Sequence, residues 1–554
     1  MRTTAARARQ AASLARAFLA DRRLVACGIV ALVVLAPGAG WGIPQATSAV
    51  TVRGWEVDAI SGIGVLSELS NLTSAGRPDW YVAYPLFHYV VLAAVYLPYL
   101  ALQALTGGLS SPGPDFPYGF ADPVRAFVVL NGIGHAVSVV MGVVAIMAVF
   151  VLARRVFGAT GAWLAAAAAL CCAPFVFYAR TGNLDVPALC WTMLAFVVIE
   201  RCWSDGLTMT RAMACGTFSA FAVATKDQSF GLLVLPLLLL LIRSVRSTAA
   251  APGRYRLPIV LVASGAIAFL VAGGLVVRPD RFVRHVEYIT NFSDTFTNVR
   301  HPTELTVMRP PTIAGRALLL GDLLRATGTA IGWPIVLTGI AGLALLWRST
   351  NAVRWMVAAL AGYFLLVLVP IQHMQYRYAL APAMLLAIVA GGVVARLTRR
   401  PALIGGAAVV LVGPAVAGAA EITHAMLTDA RGPASDWLRQ HADSGDSLGF
   451  FGRPHQLPRI PAGVHVEALP DDDAHARLMA EHPRWIVVAP DYFADPRRER
   501  SIFLPEELYR ALQTGSIGWE LAARFESRGL LGRALPYLPY VNPVVQIYER
   551  RRAD

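Results

Sequence analysis

The sequence has little charge, only six cysteines and a single lysine. Charged residues make up 15% of the 554 positions, whereas hydrophobic residues make up 56% and the mean hydropathy is +0.54. Apolar runs recur through the first three quarters of the chain, many of them close to the roughly 20 residues that a membrane-spanning helix needs. This composition excludes an ordinary soluble enzyme and indicates a polytopic membrane protein.

The cysteines and the lysine are informative by their positions. All six cysteines lie in or beside apolar segments, so they give no support to a disulfide framework, and no CxxC pair indicates a zinc site. Lys226 is the only lysine, although lysine and arginine together number 48. A lysine therefore stands at this position where the chain would ordinarily use arginine.

The net charge of +13 comes from arginines that lie mainly in the loops of the chain and not in a binding patch. The arginines occur mainly in short segments between apolar runs, where orientation in a membrane accounts for many of them. No basic patch is interleaved with aromatic residues at the spacing of a nucleic-acid-binding surface. We expect no nucleic-acid partner.

The N-terminal segment is basic up to Arg23 and then apolar from Leu24 to about Pro44. Ala36-Pro37-Gly38-Ala39 resembles a signal-peptide cleavage site. Further apolar runs follow, however, and the basic region is long, which favours an uncleaved anchor. The sequence therefore predicts a cytoplasmic basic N-terminus (1–23) followed by a first membrane span.

Charge placement predicts the topology. With a cytoplasmic N-terminus, every basic cluster between the apolar runs falls on the cytoplasmic side, as the positive-inside rule requires. We predict an all-α polytopic domain (24–420) in a bacterial inner membrane, with long outer loops (45–123 and 278–327) and a small extracytoplasmic α/β domain (421–554). The eleven candidate spans lie near 24–44, 124–152, 161–179, 186–201, 211–225, 229–242, 257–277, 329–347, 355–370, 379–395 and 402–420.

One further apolar run, Tyr84 to Leu105, does not fit as a full span. If it crossed the membrane, all later arginine clusters would lie outside. Its many tyrosines and its two prolines are typical of a membrane interface. We predict a helix that lies in, or dips into, the outer surface.

Two acidic motifs fall on the outer side in this topology: Trp55-Glu56-Val57-Asp58 and Arg180-Thr181-Gly182-Asn183-Leu184-Asp185. The carboxylates of the first motif could bind a divalent cation, act as a base or be solvated. Asp185 lies between two short apolar spans, where a carboxylate is partly desolvated unless it has a partner or faces a cavity. Arg180 could supply that partner as a structural clamp across the turn.

Two cationic positions lie at the outer ends of later spans. Lys226 could anchor a helix end or bind phosphate, and the Arg377-Tyr378 pair offers the same two alternatives. Together the motifs place two acids and two cations on one face of a helical bundle. A phosphate-linked donor requires cations that stabilise the leaving group and a carboxylate that deprotonates an acceptor.

The order of these motifs resembles that of a known family, the GT-C glycosyltransferases of the protein O-mannosyltransferase and aminoarabinose transferase type (glycosyltransferase family 39). The resemblance covers most of the chain. It rests on the acidic motif after the first span, followed by Tyr84-Pro85-Leu86-Phe87-His88-Tyr89, Ala153-Arg154-Arg155-Val156-Phe157-Gly158, Arg180 with Asp185-Val186-Pro187, Thr225-Lys226, and Arg377-Tyr378 before an Ala-Pro span.

The resemblance implies a polyprenyl-phosphate sugar donor and transfer on the non-cytoplasmic face to a lipid, polysaccharide or protein acceptor. By position, Asp58 would be the main catalytic carboxylate, beside Glu56, with Asp185 as its partner. The residues for the lipid phosphate would be Lys226, Arg377 and Tyr378. No cofactor is expected, and a divalent cation at the first acidic motif is an alternative that we do not favour.

Other functions remain open from the residues alone. A transporter or lipid flippase is the main alternative, but it is expected to carry ionisable residues deep within its spans, whereas most of those here lie at span ends. A non-catalytic assembly protein would leave the two acidic motifs without a shared purpose. A hydrolase with a carboxylate pair would not explain why most of the chain lies in the membrane.

Overall fold

The chain is mostly helical in the part that the structure describes. This computed structural model describes residues 21–43, 54–56, 59–60, 62–73, 84–113, 117–247, 255–290, 307–451, 454–469, 474–490, 504–530 and 541–551. The α-helices of six or more residues up to residue 427 are α1 (Arg22–Leu35), α2 (Gly62–Thr73), α3 (Phe87–Leu105), α4 (Pro123–Leu170), α5 (Ala173–Tyr178), α6 (Asp185–Asp205), α7 (Met209–Thr225), α8 (Ser229–Ser247), α9 (Arg256–Ala272), α10 (Pro279–Thr290), α11 (Ile313–Ile331), α12 (Trp333–Leu346), α13 (Asn351–Tyr363), α14 (Leu380–Leu397) and α15 (Pro401–Leu427). A π-helical segment (Phe364–Leu368) and a short helix (Val369–Ile371) continue α13.

Seven helical segments of the described chain are long and apolar enough to cross a membrane. They are Phe87–Leu105, Pro123–Leu170, Asp185–Asp205, Ser229–Arg246, Asn351–Ile371, Tyr376–Leu397 and Pro401–His441. The helices α9 and α12 are apolar but shorter. Each of the eleven predicted spans overlaps at least one helix, although only seven segments are long and apolar enough by themselves. The prediction of an all-α polytopic membrane protein is confirmed.

The longest helix, α4, is two helices joined at Gly158. This glycine has φ +79° and ψ −174°, a backbone conformation that interrupts the helix and that L-residues with a side chain rarely adopt. The break separates the predicted spans 124–152 and 161–179. It also places Arg154 and Arg155 at the turn between them.

The arginine-rich loops meet at one end of the helical bundle. Arg154 contacts Asp21 at the start of α1 (2.6 Å), and Arg155 contacts Asp205 at the end of α6 (3.0 Å). The guanidinium of Arg396, in the last turn of α14, lies 5.5 Å from the ring centroid of Phe157, one residue before the break in α4. Loops that are far apart in sequence thus form a single basic end, as the predicted topology requires.

Helix α3 packs in the same hydrophobic cluster as the beginning of α4. Leu109, just after α3, forms a β-bridge with Phe120, just before α4. Leu86, just before α3, belongs to the same hydrophobic cluster as Phe127 in the first turns of α4. Since α3 is also long and apolar enough to cross a membrane, the placement of 84–105 at the outer surface stays a prediction.

The C-terminal part contains a five-stranded mixed sheet with the strand order β4-β3-β5-β7-β6. Strands β3, β4 and β5 are parallel, β7 is antiparallel to β5, and β6 is antiparallel to β7. The elements are α16 (Arg431–His441), β3 (Ser447–Phe450), β4 (His465–Ala468), α17 (Ala474–Glu481), β5 (Trp485–Val488), α18 (Glu506–Thr514), β6 (Trp519–Phe525) and β7 (Val545–Arg550); a two-stranded pair outside this sheet joins β1 (Val307–Met308) to β2 (His373–Met374).

Helices cover both faces of this sheet, which explains the uninterrupted apolar sequence of its central strand. Trp485 and Val487 of β5 belong to the cluster that contains residues of α16, whereas Ile486 and Val488 belong to the cluster that contains residues of α17 and α18. The predicted α/β unit is confirmed. The sequence predicts strands β3, β5 and β7 from their apolar runs, whereas β4 and β6 lie at the sheet edges and carry mixed polar sequences that give no such pattern.

The two ends of the bundle generate a topology prediction. In a background without the native cysteines, Ser110→Cys and Ser444→Cys should react with an impermeant thiol reagent added to intact cells, because both positions are exposed at the end opposite the arginines. Thr398→Cys, at the arginine end, should react only after the cells are opened. The reverse pattern would show that the bundle is inverted and that the assignment of 84–105 is wrong.

Candidate functional site

Glu56 of the first acidic motif is buried against α4. Its Oε1 lies 2.9 Å from Nε2 of His135, and both side chains are 2% exposed. Nδ1 of the same ring lies 2.7 Å from the carbonyl oxygen of Ala39. A carbonyl oxygen only accepts hydrogen bonds, so Nδ1 carries a proton, and Glu56 shares one further proton with Nε2. The pair is therefore neutral as a unit.

The two acidic motifs pack against each other. The backbone N–H of Ile60 donates to the carbonyl oxygen of Gly182 (3.0 Å). A Cβ atom at Gly182 would lie 3.2 Å from the carbonyl oxygen of Ile60 and 3.3 Å from Oε1 of Glu56, so the absence of a side chain permits this close approach. Asp58, the predicted catalytic carboxylate, lies outside the described residues.

Asp185 and Lys226 form a buried ion pair. Nζ of Lys226 lies 2.6 Å from Oδ1 of Asp185, and the side chains are 8% and 6% exposed. Asp185 is the first residue of α6, where the helix dipole favours a carboxylate, and Lys226 directly follows the last residue of α7. The pair thus joins the beginning of one helix to the end of the next.

Arg180 does not pair with Asp185, so the proposed clamp across the turn is wrong. The Arg180 side chain is fully buried and donates to the carbonyl oxygens of Leu35 (3.1 Å) and Val34 (2.7 Å) and to Oγ1 of Thr423 (2.9 Å). Its guanidinium therefore fastens the end of α1 to α15. Closeness in sequence did not reveal that the arginine points away from the carboxylate.

One cavity contains the second acidic residue and both predicted cations. Asp185, Lys226 and Arg377 all line it, together with Ala188, Leu189, Thr192, Gln228, Ser229, Leu232, Tyr363, Leu380 and Ala381. The three charged side chains come from separate parts of the chain. The fold thus brings together residues that the sequence predicted separately, and their ionised forms sum to a charge of +1.

The segment around Arg377 is held by short-range structure. Strand β2 pairs with β1 just before it, and Arg377 lies in a 3₁₀ turn (Tyr376–Ala379) that leads into α14. The neighbouring Tyr378 is 2% exposed and is not among the cavity-lining residues; its ring centroid lies 5.9 Å from the guanidinium carbon of Arg377. Burial, assisted by Arg377, lowers the pKa of His373 to about 4, so this ring adds no charge at neutral pH.

Comparisons with known proteins show a similar sequence segment and similar folds. Residues 134–272 match a family model described as dolichyl-phosphate-mannose-protein mannosyltransferase. ArnT from Cupriavidus metallidurans, solved bound to undecaprenyl phosphate, matches with a TM-score of 0.50 and 14% identity, over 95% of this chain and 97% of that chain. The oligosaccharyltransferase AglB from Archaeoglobus fulgidus matches with a TM-score of 0.45 and 12% identity, over 85% and 70%. No curated protein matches the sequence.

The chain has a GT-C glycosyltransferase fold. The match to ArnT extends over nearly the whole of both chains, and the family match covers the segment from the first half of α4 to α9. The resemblance that the sequence showed to GT-C glycosyltransferases is confirmed.

His135 is the residue of this site that sequence reasoning missed. It lies within the apolar run of α4, where a lone histidine is more often a satisfied core residue than a functional one. Among the described residues, no group of three or more His, Cys, Asp or Glu side chains could hold a metal ion. A cation at the first acidic motif was not favoured, and the contact of Glu56 with His135 gives a different partner for one of its oxygens.

The shared proton predicts how substitutions at Glu56 and His135 affect stability. Glu56→Gln should change the unfolding midpoint of the purified protein little, because the glutamine amide can donate to Nε2 of the neutral ring. His135→Ala should lower it strongly, since it leaves a buried carboxylate unpaired at a cost of about 3–5 kcal/mol. Equal losses in thermal unfolding for the two variants would contradict this account of the pair.

Proposed function

We propose that this protein is a membrane glycosyltransferase that moves a sugar from a polyprenyl-phosphate donor to an acceptor on the outer face of the membrane. The observation that carries the proposal is the single cavity lined by Asp185, Lys226 and Arg377. An ammonium and a guanidinium in a poorly solvated site can stabilise the phosphate charge that develops as the sugar leaves. The similar fold of ArnT, solved with undecaprenyl phosphate, supports a lipid phosphate as the ligand.

The proposed reaction is a displacement at the anomeric carbon. An acceptor hydroxyl attacks C1 of the sugar while a carboxylate takes the hydroxyl proton. The bond between C1 and the phosphate oxygen breaks, and the polyprenyl phosphate leaves with the bonding electrons. In this scheme Lys226 and Arg377 hold the phosphate, and Asp185 keeps the ammonium in the cavity through their 2.6 Å contact.

The burial of Glu56 supports Asp58 as the base. A base must come within about 3 Å of the proton that it removes. Glu56 is 2% exposed, and one of its oxygens is engaged by His135. Within the first acidic motif, this leaves Asp58 as the carboxylate that we assign to the acceptor, in agreement with the position that the family resemblance gives it.

The separation of charge between the ends of the bundle supports an outer-face site. The first acidic motif contacts the second at the end of the bundle opposite the Arg154 and Arg155 turn. Arginine-rich loops of membrane proteins are retained in the cytoplasm. The site would then open to the extracytoplasmic side, where the C-terminal domain also lies.

The donor cavity gives a binding prediction. Arg377→Gln should weaken binding of undecaprenyl phosphate to the purified protein by about tenfold to a hundredfold, because a hydrogen bond to a charged group contributes roughly 1.5–3 kcal/mol. The double variant Asp185→Asn with Lys226→Gln should have a similar effect without leaving a buried charge unpaired. Titration of the purified protein with the lipid, followed by native mass spectrometry, measures both.

The matched control is Arg316→Gln, which removes the same charge from an exposed position on α11 outside the cavity. It should bind the lipid like the unaltered protein. If both cavity variants bind undecaprenyl phosphate as tightly as the unaltered protein, Lys226 and Arg377 do not hold the phosphate and serve only as interface anchors.

The base gives a prediction for turnover. Asp58→Asn keeps the shape of the side chain but removes its basicity, so sugar transfer should fall by about 10²- to 10⁴-fold while lipid binding persists. Glu56→Gln should cost less. Near-normal transfer by Asp58→Asn would remove Asp58 from the mechanism. A larger loss for Glu56→Gln, together with inhibition by a chelator, would show that the motif binds a cation.

A further inference from the structure

The C-terminal domain binds the side chain of Trp55, the residue that precedes Glu56. The guanidinium carbon of Arg431 lies 4.3 Å from the ring centroid of Trp55, and that of Arg459 lies 5.2 Å from it. The indole Nε1 of Trp55 donates to the carbonyl oxygen of Leu457 (3.0 Å). A guanidinium within about 6 Å of an indole centroid makes a favourable cation–π contact. Trp55 thus has three contacts with one domain.

Both arginines are themselves fixed. Arg431 is fully buried and makes a bidentate pair with Asp429 (2.9 and 2.7 Å), and it donates to the carbonyl oxygen of His455. Arg459 donates to the carbonyl oxygen of Ile43 in the segment after α1 (3.0 Å). A side chain anchored in this way can define where its partner ring lies.

The same contacts extend to the loop that carries Ala39. Trp41 donates from its indole nitrogen to Oδ2 of Asp429 (2.9 Å), and its ring centroid lies 6.2 Å from that of Trp55. Trp41 also has Arg431 5.4 Å from its ring. Asp429 and Arg431 therefore contact two separate stretches of the segment that follows α1, at Trp41 and at Trp55, through one buried ion pair.

The first acidic motif is consequently held from two sides. From the bundle, His135 of α4 binds the Glu56 side chain. From the C-terminal domain, Arg431 and Arg459 bind the ring of the adjacent Trp55. A shift of the domain therefore disturbs the contacts of Trp55, the residue directly before Glu56.

We propose that Arg431 and Arg459 are positioning residues for sugar transfer, which act by fixing Trp55 and thereby the carboxylates that follow it. This inference rests on the proposed function of the motif as the source of the base. It makes the C-terminal domain part of the catalytic arrangement and not only a module appended to it. The donor cavity is lined by other residues, so donor binding should not depend on the contacts of Arg431 and Arg459 with Trp55.

Arg459→Gln in the full-length protein tests the inference with the least disturbance, because Arg459 is only partly buried whereas Arg431 pairs with a buried aspartate. We expect kcat to fall at least tenfold, with the KM for the lipid donor unchanged. Hydrogen exchange of the peptide that contains residues 54–60 should become faster. Arg459→Lys, which keeps the cation near the ring, should restore part of the loss.

The matched control is Arg484→Gln. Arg484 lies 4.8 Å from the ring of Trp485 and pairs with Asp446, but these contacts stay within the C-terminal domain. This variant should keep both kcat and the exchange rate of residues 54–60. An equal loss of kcat in the control would show a general effect of domain stability and overturn the inference.

Asp58→Asn measured in parallel separates the two proposals. If Asp58→Asn is inactive and Arg459→Gln keeps normal kcat and exchange, the positioning inference is overturned while the proposed function stands. If Asp58→Asn transfers sugar normally, the proposed base is wrong, and the inference that depends on it falls too. Loss of kcat in both, with unchanged donor KM in Arg459→Gln, supports both.

Discussion

The buried ion pair between Asp185 and Lys226 is the interaction on which the candidate site depends. Either charge alone would be costly at this depth, so each residue requires the other. Because Asp185 begins α6 and Lys226 follows α7, the pair fixes how these helices meet and leaves the ammonium at the wall of the cavity that Arg377 also lines. A compact ammonium on a flexible stem suits this place, which agrees with the single lysine of the chain being there.

A second constraint acts on the first acidic motif. The described residues around it, 54–56 and 59–60, lie outside the helices and strands, so their position has to come from their contacts. The bundle supplies one through His135, and the C-terminal domain supplies the other through the rings of Trp41 and Trp55. The two acidic motifs are then joined through Gly182, which links the loop to the segment that begins α6.

The sequence predicted the fold better than the site. Spans follow from apolar length and arginine placement, and Asp185, Lys226 and Arg377 could be selected because they are charged residues at the predicted outer ends of spans. Contacts between distant segments could not be predicted from the sequence pattern, because the pairing of Asp185 with Lys226 and the contact of His135 with Glu56 depend on how the helices pack. Arg180 shows the limit most clearly, since its sequence neighbour was a plausible partner and its actual partners lie on α1 and α15.

In the proposed sugar transfer, a lipid-linked phosphate is the leaving group. The most direct measurement incubates the purified full-length protein, reconstituted in lipid, with a panel of labelled undecaprenyl-phosphate sugars and extracted envelope acceptors. We predict that at least one of these donors loses its sugar to an acceptor with release of undecaprenyl phosphate, and that Arg377→Gln impairs this reaction. Transfer from nucleotide sugars instead, or lipid transport without cleavage of the sugar–phosphate bond, would contradict it.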